Sequence, residues 1–386
     1  MIIKPSNRIQ KIKQYYFAGK MAQIAEMNKK GFDILNIGVG SPDLEPHVDV
    51  VNSLIRSAKK PVNHGYQSYR GIEELRNSFS KWYKKYFDVD INPAKEIQIL
   101  MGSKEGIMHI AMAFLNEGDK VLVPDPGYPA YTAASKLAGA EVLRYDLNES
   151  NNWLPNIESL EKKDLSSVKI MWLNYPHMPT GANASWQVFE KLINFAIKNN
   201  ILLVNDNPYN FILNDNPISI LQISDAKKVA LELVSLSKSY NMAGWRIGAI
   251  AGNDNYINEI LKFKSNMDSG MFKSIQEAGV TALNLNEDWF DKLNKMYEKR
   301  RRKVWEIMDV LGCDYSPDST GMFVWGKTGL KDEEEFVEDI LQKAHVFITP
   351  GRVFGENGKG YIRVSLTNSL EKLDKALRKI IHSVNS

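Results

Sequence analysis

The sequence is poor in the features that mark several protein classes. Only one cysteine, Cys313, occurs among the 386 residues, so no internal disulfide can form. That usage fits a reducing, cytoplasmic setting. Six histidines, at positions 47, 64, 109, 177, 345 and 382, show no zinc-site spacing, and no metal is expected. No run of about 18 apolar residues exists, which argues against a membrane-spanning helix. The opening MIIKPSNRIQKIKQYYF has no apolar stretch of signal-peptide length. Lys and Arg total 49 against 46 Asp and Glu, a formal net charge of +3, so neither a nucleic-acid nor a membrane-surface footprint is indicated. Internal repeats and low-complexity linkers are also missing.

What remains is an ordinary globular composition, 44% hydrophobic and 25% charged. The length fits two domains, or one large α/β domain with a satellite. Seven short apolar runs punctuate the middle of the chain: IQIL (97–100), KVLVP (120–124), EVLRY (141–145), VKIMWL (168–173), ILLVND (201–206), VALELVSL (229–236) and IGAIAG (247–252). Helical patterns lie between them, at 104–116, 128–138 and 185–199, with Ser185 placed to cap the last. Alternating strands and helices predict a mostly parallel sheet covered on both faces, and such sheets bind ligands beyond the carboxyl ends of their strands.

After about residue 253 the pattern is mainly helical. Residues 271–311 read as one long helix or two, and the basic run Lys299–Lys303 as a solvated face. The segments FVWG, VFITP and YIRVSL then mix with helices in a small α+β domain, which residues 1–45 are expected to complete. The expected division is an N-terminal arm and part of the small domain over 1–45, a large domain over 46–285, and a C-terminal small domain over 286–386.

The sharpest motif is Ser235-Leu236-Ser237-Lys238-Ser239-Tyr240-Asn241-Met242-Ala243-Gly244-Trp245-Arg246-Ile247-Gly248, which follows a strand-like run. Hydroxyl residues before a lysine, with an arginine eight positions on, suit an aldehyde that carries a phosphate. The amine condenses with the aldehyde, while hydroxyls and a planar guanidinium grip the dianion. A surface lysine in a turn is the bland alternative, and Ser-x-Ser-Lys alone would not exclude it. The whole segment, however, resembles the attachment site of class I aminotransferases. The resemblance, to the pyridoxal-phosphate (PLP) enzymes of fold type I in the aspartate-aminotransferase superfamily, extends from about residue 32 to residue 370.

That resemblance implies roles for further residues. Lys238 holds the cofactor as a Schiff base, with Ser235, Ser237 and Arg246 on its phosphate. In Val204-Asn205-Asp206-Asn207-Pro208-Tyr209, Asp206 pairs with the pyridine nitrogen and Tyr209 with the phenolic O3′. A carboxylate there keeps the ring nitrogen protonated. Asn207 stands where the family often has Glu. Gly102-Ser103-Lys104-Glu105-Gly106 opens a helix, so Ser103 and Lys104 fall in the phosphate loop. Tyr128, in Asp125-Pro126-Gly127-Tyr128-Pro129-Ala130-Tyr131, stacks on the ring. Tyr66, in Gly65-Tyr66-Gln67-Ser68-Tyr69-Arg70-Gly71, reaches the partner subunit's phosphate, which implies a homodimer with shared sites. Arg363, in Tyr361-Ile362-Arg363-Val364-Ser365-Leu366, binds the substrate α-carboxylate, and the backbone of Gly38 meets the same group. One departure stands out: the family's Asn-Pro-Thr-Gly reads Met178-Pro179-Thr180-Gly181 here, and a thioether cannot replace an amide donor to O3′.

The resemblance implies transamination between an L-amino acid and a 2-oxo acid in ping-pong fashion, and the motifs look closest to the LL-diaminopimelate and alanine aminotransferase branch. A β-lyase on the same scaffold is the alternative, since the motifs serve elimination equally. A regulator carrying a degenerate aminotransferase domain would need an added DNA-binding domain, for which the chain has no spare residues. A distal arginine for a dicarboxylate is not evident; Arg70 and Arg352 are the candidates.

Overall fold

The computed structural model describes residues 2–384. Its strands, in chain order, are β1 (Leu35–Asn36), β2 (Ile97–Leu100), β3 (Lys120–Asp125), β4 (Glu141–Asp146), β5 (Val168–Leu173), β6 (Leu202–Asp206), β7 (Ala230–Ser235), β8 (Gly248–Gly252), β9 (Asp314–Tyr315), β10 (Phe323–Lys327), β11 (Val346–Phe347), β12 (Thr349–Pro350) and β13 (Tyr361–Ser365). The seven apolar runs of the middle region are β2 to β8, displaced by a residue at most at either end. They form one sheet in the order β2-β8-β7-β6-β5-β3-β4. Only β8 runs against its neighbours. The strands β5 to β7 are almost wholly buried on both faces, which is why they read as continuous apolar runs rather than alternating ones.

Two hydrophobic layers cover the sheet. One packs Phe79, Trp82 and Phe189 against one face; the other packs Ile107, Ile110 and Tyr131 against the opposite face. Ser185 caps the helix Trp186–Asn199 by accepting from the Val188 amide.

A second core, around Ile37, Val304, Val324 and Ile362, belongs to the four-stranded sheet β12-β13-β10-β9. Both chain ends contribute to it: β1 pairs in parallel with β11, and the Ser365 amide donates to the Ile37 carbonyl. The region 271–311 resolves into two helices, Lys273–Leu283 and Asp288–Val310. The reading of 299–303 as a solvated face needs correction. Arg300 is buried, with its guanidinium on both Asp43 carboxylate oxygens (2.7 and 3.0 Å) and the Leu366 carbonyl. Charge in a sequence run does not reveal which face of the helix meets a neighbouring acid.

Candidate active site

The topology explains why residues distant in sequence meet. The strands β3, β5, β6 and β7 end on one edge of the sheet, and β8, being antiparallel, begins there. Leu100, Gly248 and Ser235 stand side by side across β2, β8 and β7. The loop to Lys238, the turn carrying Arg246 and the helix start at Ser103 therefore open into one crevice.

The crevice is a cavity of about 270 Å³. Its walls include Ser103, Lys104, Tyr128, Asp206, Tyr209, Ser235, Ser237, Lys238 and Arg246, nine of the twelve residues singled out by sequence. At one end lies an anion cradle. The helix Ser103–Phe114 points its unpaired amides here, and its N-cap, Gly102, has φ +81°. A Cβ on Gly102 would lie 2.1 Å from Arg246 Nη2, so only glycine lets the guanidinium close on the helix start. Arg246 Nη1 donates to Ser237 Oγ (3.4 Å) and the Ala243 carbonyl (2.9 Å).

At the other end sits a buried carboxylate. Asp206 Oδ2 accepts from the Tyr131 hydroxyl at 3.0 Å, while Oδ1 has no hydrogen-bond partner among the described residues. Burial pushes its pKa up to about 7, outweighing the Tyr131 and Ser103 hydroxyls. Between the two ends, the Lys238 amine donates to the Gly40 carbonyl (2.7 Å). Desolvation, then the charges of Arg363 and Arg246, lower its pKa to about 8.

The remaining three residues lie apart from the cavity wall. Arg363 is buried. Its Nη2 donates to the Gly38 carbonyl (2.8 Å) and its Nη1 points to Met178 Sδ (3.2 Å), while Nε has no partner among the described residues. The rings of Phe323, Phe354 and Phe17 surround it at 4.1, 4.6 and 5.6 Å. The Gly38 amide donates to Asn36 Oδ1, so its carbonyl is the group facing Arg363. Tyr66 is 93% exposed. Arg70 bonds Asn258 and Ala94, and Arg352 lies near Glu333 and Glu334; neither lines the cavity.

Sequence reasoning overlooked several contributors. Tyr131, one helical turn after Tyr128, stacks on Trp172 at 5.1 Å while bonding Asp206. Tyr15 hydrogen-bonds Tyr128 and carries the Lys104 ammonium 4.7 Å from its ring centre. Glu232, on β7 opposite Asn205, accepts from Asn205, Asn207, Ser219 and Tyr83 and so braces the strand end that presents Asp206. Asn207, where a family glutamate often stands, is thus a donor to a carboxylate on the next strand. Asn174 lines the cavity, but its side chain is committed to the Asp206 carbonyl and the Met178 amide. His177 turns away to Thr180 (2.8 Å).

These residues fit PLP on structural grounds. The Asp206 oxygen without a partner suits a protonated ring nitrogen, and the Gly102-dependent closure of Arg246 on a helix start suits a phosphate dianion.

Comparisons with known proteins agree. Residues 33–380 match the family model for aminotransferases of class I and II. The LL-diaminopimelate aminotransferase of Dehalococcoides mccartyi is 40% identical over 98% of both chains. That of Aquifex aeolicus is 39% identical over 97% of this chain and 98% of its own. A substrate-bound BacF structure from Bacillus subtilis superimposes with a TM-score of 0.92 at 35% identity, covering 99% of this chain and 98% of that one.

Proposed function

The chain belongs to the class I and II aminotransferases and is a PLP-dependent transaminase, and on that premise we propose specific roles for its residues and a specific substrate. When bound, PLP supplies an aldehyde for linkage to an amine and a ring that accepts the electrons of a broken Cα bond. Lys238 Nζ would carry the cofactor and, when free, move the proton between the substrate Cα and the cofactor carbon. Its lowered pKa keeps an appreciable neutral fraction available near pH 8. Ser103, Lys104, Ser235, Ser237 and Arg246 would hold the phosphate. Asp206 would hold the ring nitrogen's proton, Tyr209 would bond O3′, and Tyr128 would cover the ring. Arg363, held by the Gly38 carbonyl, would fix the substrate carboxylate, so that the correct Cα bond stands perpendicular to the ring; the Gly38 amide, bonded to Asn36, is not offered to that group.

The observation that carries this reading is the convergence of Lys238, Asp206 and Arg246 on one cavity. Residues 46–285 would form the cofactor-binding unit, and 1–45 with 286–386 the smaller one; the two separate cores support this division. We further infer a cytoplasmic homodimer in which Tyr66 reaches the partner's phosphate. The exposure of Tyr66 supports that arrangement. No helix among the described residues is long and apolar enough to cross a membrane.

The names of the curated relatives favour LL-diaminopimelate as amino donor. A panel of amino donors with 2-oxoglutarate tests this: LL-diaminopimelate should give the highest kcat/KM. Oxo-acid release that persists without an acceptor would instead establish elimination.

A further inference from the structure

Behind the anion cradle lies a group of buried charges that the catalytic reading does not use. Glu105, in the first turn of the helix Ser103–Phe114, reaches back to accept from the Met101 amide (2.5 Å), just before the N-cap. Its other oxygen faces His109 Nε2 (3.5 Å) and Lys264 Nζ (3.6 Å). Lys264, at the end of the helix Asp254–Ser265, is only 2% exposed, and its ammonium pairs with Asp268 at 2.5 Å. The geometry of Glu105, His109 and Asp268 is compact enough for a metal ion, but the Lys264 ammonium already contacts both carboxylates.

The group continues toward the surface. Asp268 Oδ1 accepts from the Gly270 amide (3.0 Å). Gly270 has φ +82°, and a Cβ there would lie 2.8 and 2.9 Å from the carbonyls of Gln67 and Ser68. Those carbonyls belong to the turn that displays Tyr66. One continuous set of contacts thus runs from the cradle turn 101–103, through Glu105, Lys264 and Asp268, to the turn 65–71.

We infer that Lys264, with Glu105 and Asp268, is a positioning device that holds the phosphate cradle of its own subunit and the Tyr66 turn offered to the partner in a fixed relation. Cofactor binding and subunit association are then coupled through it. The inference rests on the homodimer reading above. Its physical basis is that without the buried ammonium two carboxylates face each other, so that one must take up a proton or the two must move apart. Either change loosens a tie, since Glu105 is bonded to the cradle turn through the Met101 amide and Asp268 to Gly270, which lies against the Tyr66 turn. Glu105 is already the weaker partner, since burial pushes its pKa up to about 7.

The test uses the full chain as purified holoenzyme and after removal of PLP. Lys264→Met, Glu105→Gln and the double variant are titrated with PLP, following absorbance, and their dimer dissociation constants are measured by sedimentation. Lys264→Met should weaken PLP binding about tenfold or more and raise the dimer dissociation constant in the same variant. Adding Glu105→Gln should restore part of both, because it removes one of the facing charges. If Lys264→Met fails to fold, Glu105→Gln against Asp268→Asn completes the same cycle. Additive effects, or a lowered melting temperature with both constants unchanged, would overturn the inference. A wild type that binds no PLP, or sediments as a monomer, would instead overturn the functional reading on which it rests.

Discussion

The two site arginines solve opposite problems. Arg246 is exposed, lies at a helix start and is surrounded by hydroxyls and carbonyls. Its neighbours already orient it, and a dianion adds to a field that the helix amides have begun. Arg363 is buried among three phenylalanines, with a carbonyl, a thioether and an Nε that lacks a partner. Burial lowers its pKa to about 10, and the ring faces offset part of the lost hydration. On the proposed roles, the cofactor half of the site would be held by many polar contacts, whereas the substrate half would depend on a single buried cation.

The largest expected effect removes the junction of the two halves. Lys238→Ala should abolish both transamination and the visible cofactor band. Borohydride reduction of the wild type followed by peptide mapping should place the label on Lys238; label on another lysine would refute the assignment.

Next, the arginines should separate. Arg363→Ala should lower kcat/KM for amino acids by roughly 2–5 kcal/mol while the cofactor stays bound, since it leaves the substrate carboxylate unpaired in a dry site. Arg246→Ala should instead weaken PLP binding by about 1.5–3 kcal/mol, with little change in amino-acid KM at saturating PLP. Steady-state kinetics and cofactor titration on both variants decide the matter. A near-native kcat/KM in the first, or a raised amino-acid KM in the second, would erase the contrast.

A smaller effect concerns Asp206 without its partner. Its folded pKa, about 7, lies above the ordinary carboxylate value, so the cofactor-free protein retains a proton that the unfolded chain releases. The stability owed to this group is present at pH 4 and is lost as pH rises to 7. His109 and His177, whose pKa values burial lowers to about 4 and 3, act in the opposite direction over part of this range. The comparison must therefore be between cofactor-free wild type and Asp206→Asn. The stability of the wild type relative to the variant should fall between pH 4 and 7 in thermal melts. A constant difference would contradict it.

The smallest effect lies at Met178, where the two halves touch. Its sulfur faces Arg363, so on the proposed roles O3′ would be left to Tyr209. Met178→Asn should lower the pKa of the visible cofactor band, and Tyr209→Phe should raise it more strongly. An unchanged value in Met178→Asn would mean that another donor already fills the place. The neighbouring His177 does not line the cavity, and its Nδ1 is engaged with Thr180.

Much of this was legible in the sequence because the chemistry is local. A lysine, hydroxyls and an arginine in the short stretch from Ser235 to Arg246, or an aspartate at a strand end three residues before a tyrosine, must be spaced correctly along the chain to act on one small ligand. The buried sheet was equally legible, because strands covered on both faces become continuous apolar runs. Tyr131 was within reach too, since it lies in the quoted segment one turn from Tyr128. The rest was not legible. Tyr15 meets Tyr128, Phe17 meets Arg363 and Glu232 meets Asn207 only through folding, and no spacing rule links them.

The sequence by itself determined the family, the cofactor and nine of the residues around the cavity, since short-range spacing and periodicity encode them. Only the tertiary structure decided that Arg300 would be buried against Asp43, that Met178 would serve Arg363 and that Lys264 would sit between two carboxylates. The physical reason is that burial and charge pairing depend on which surfaces the fold brings together, and helix periodicity alone does not specify the neighbour.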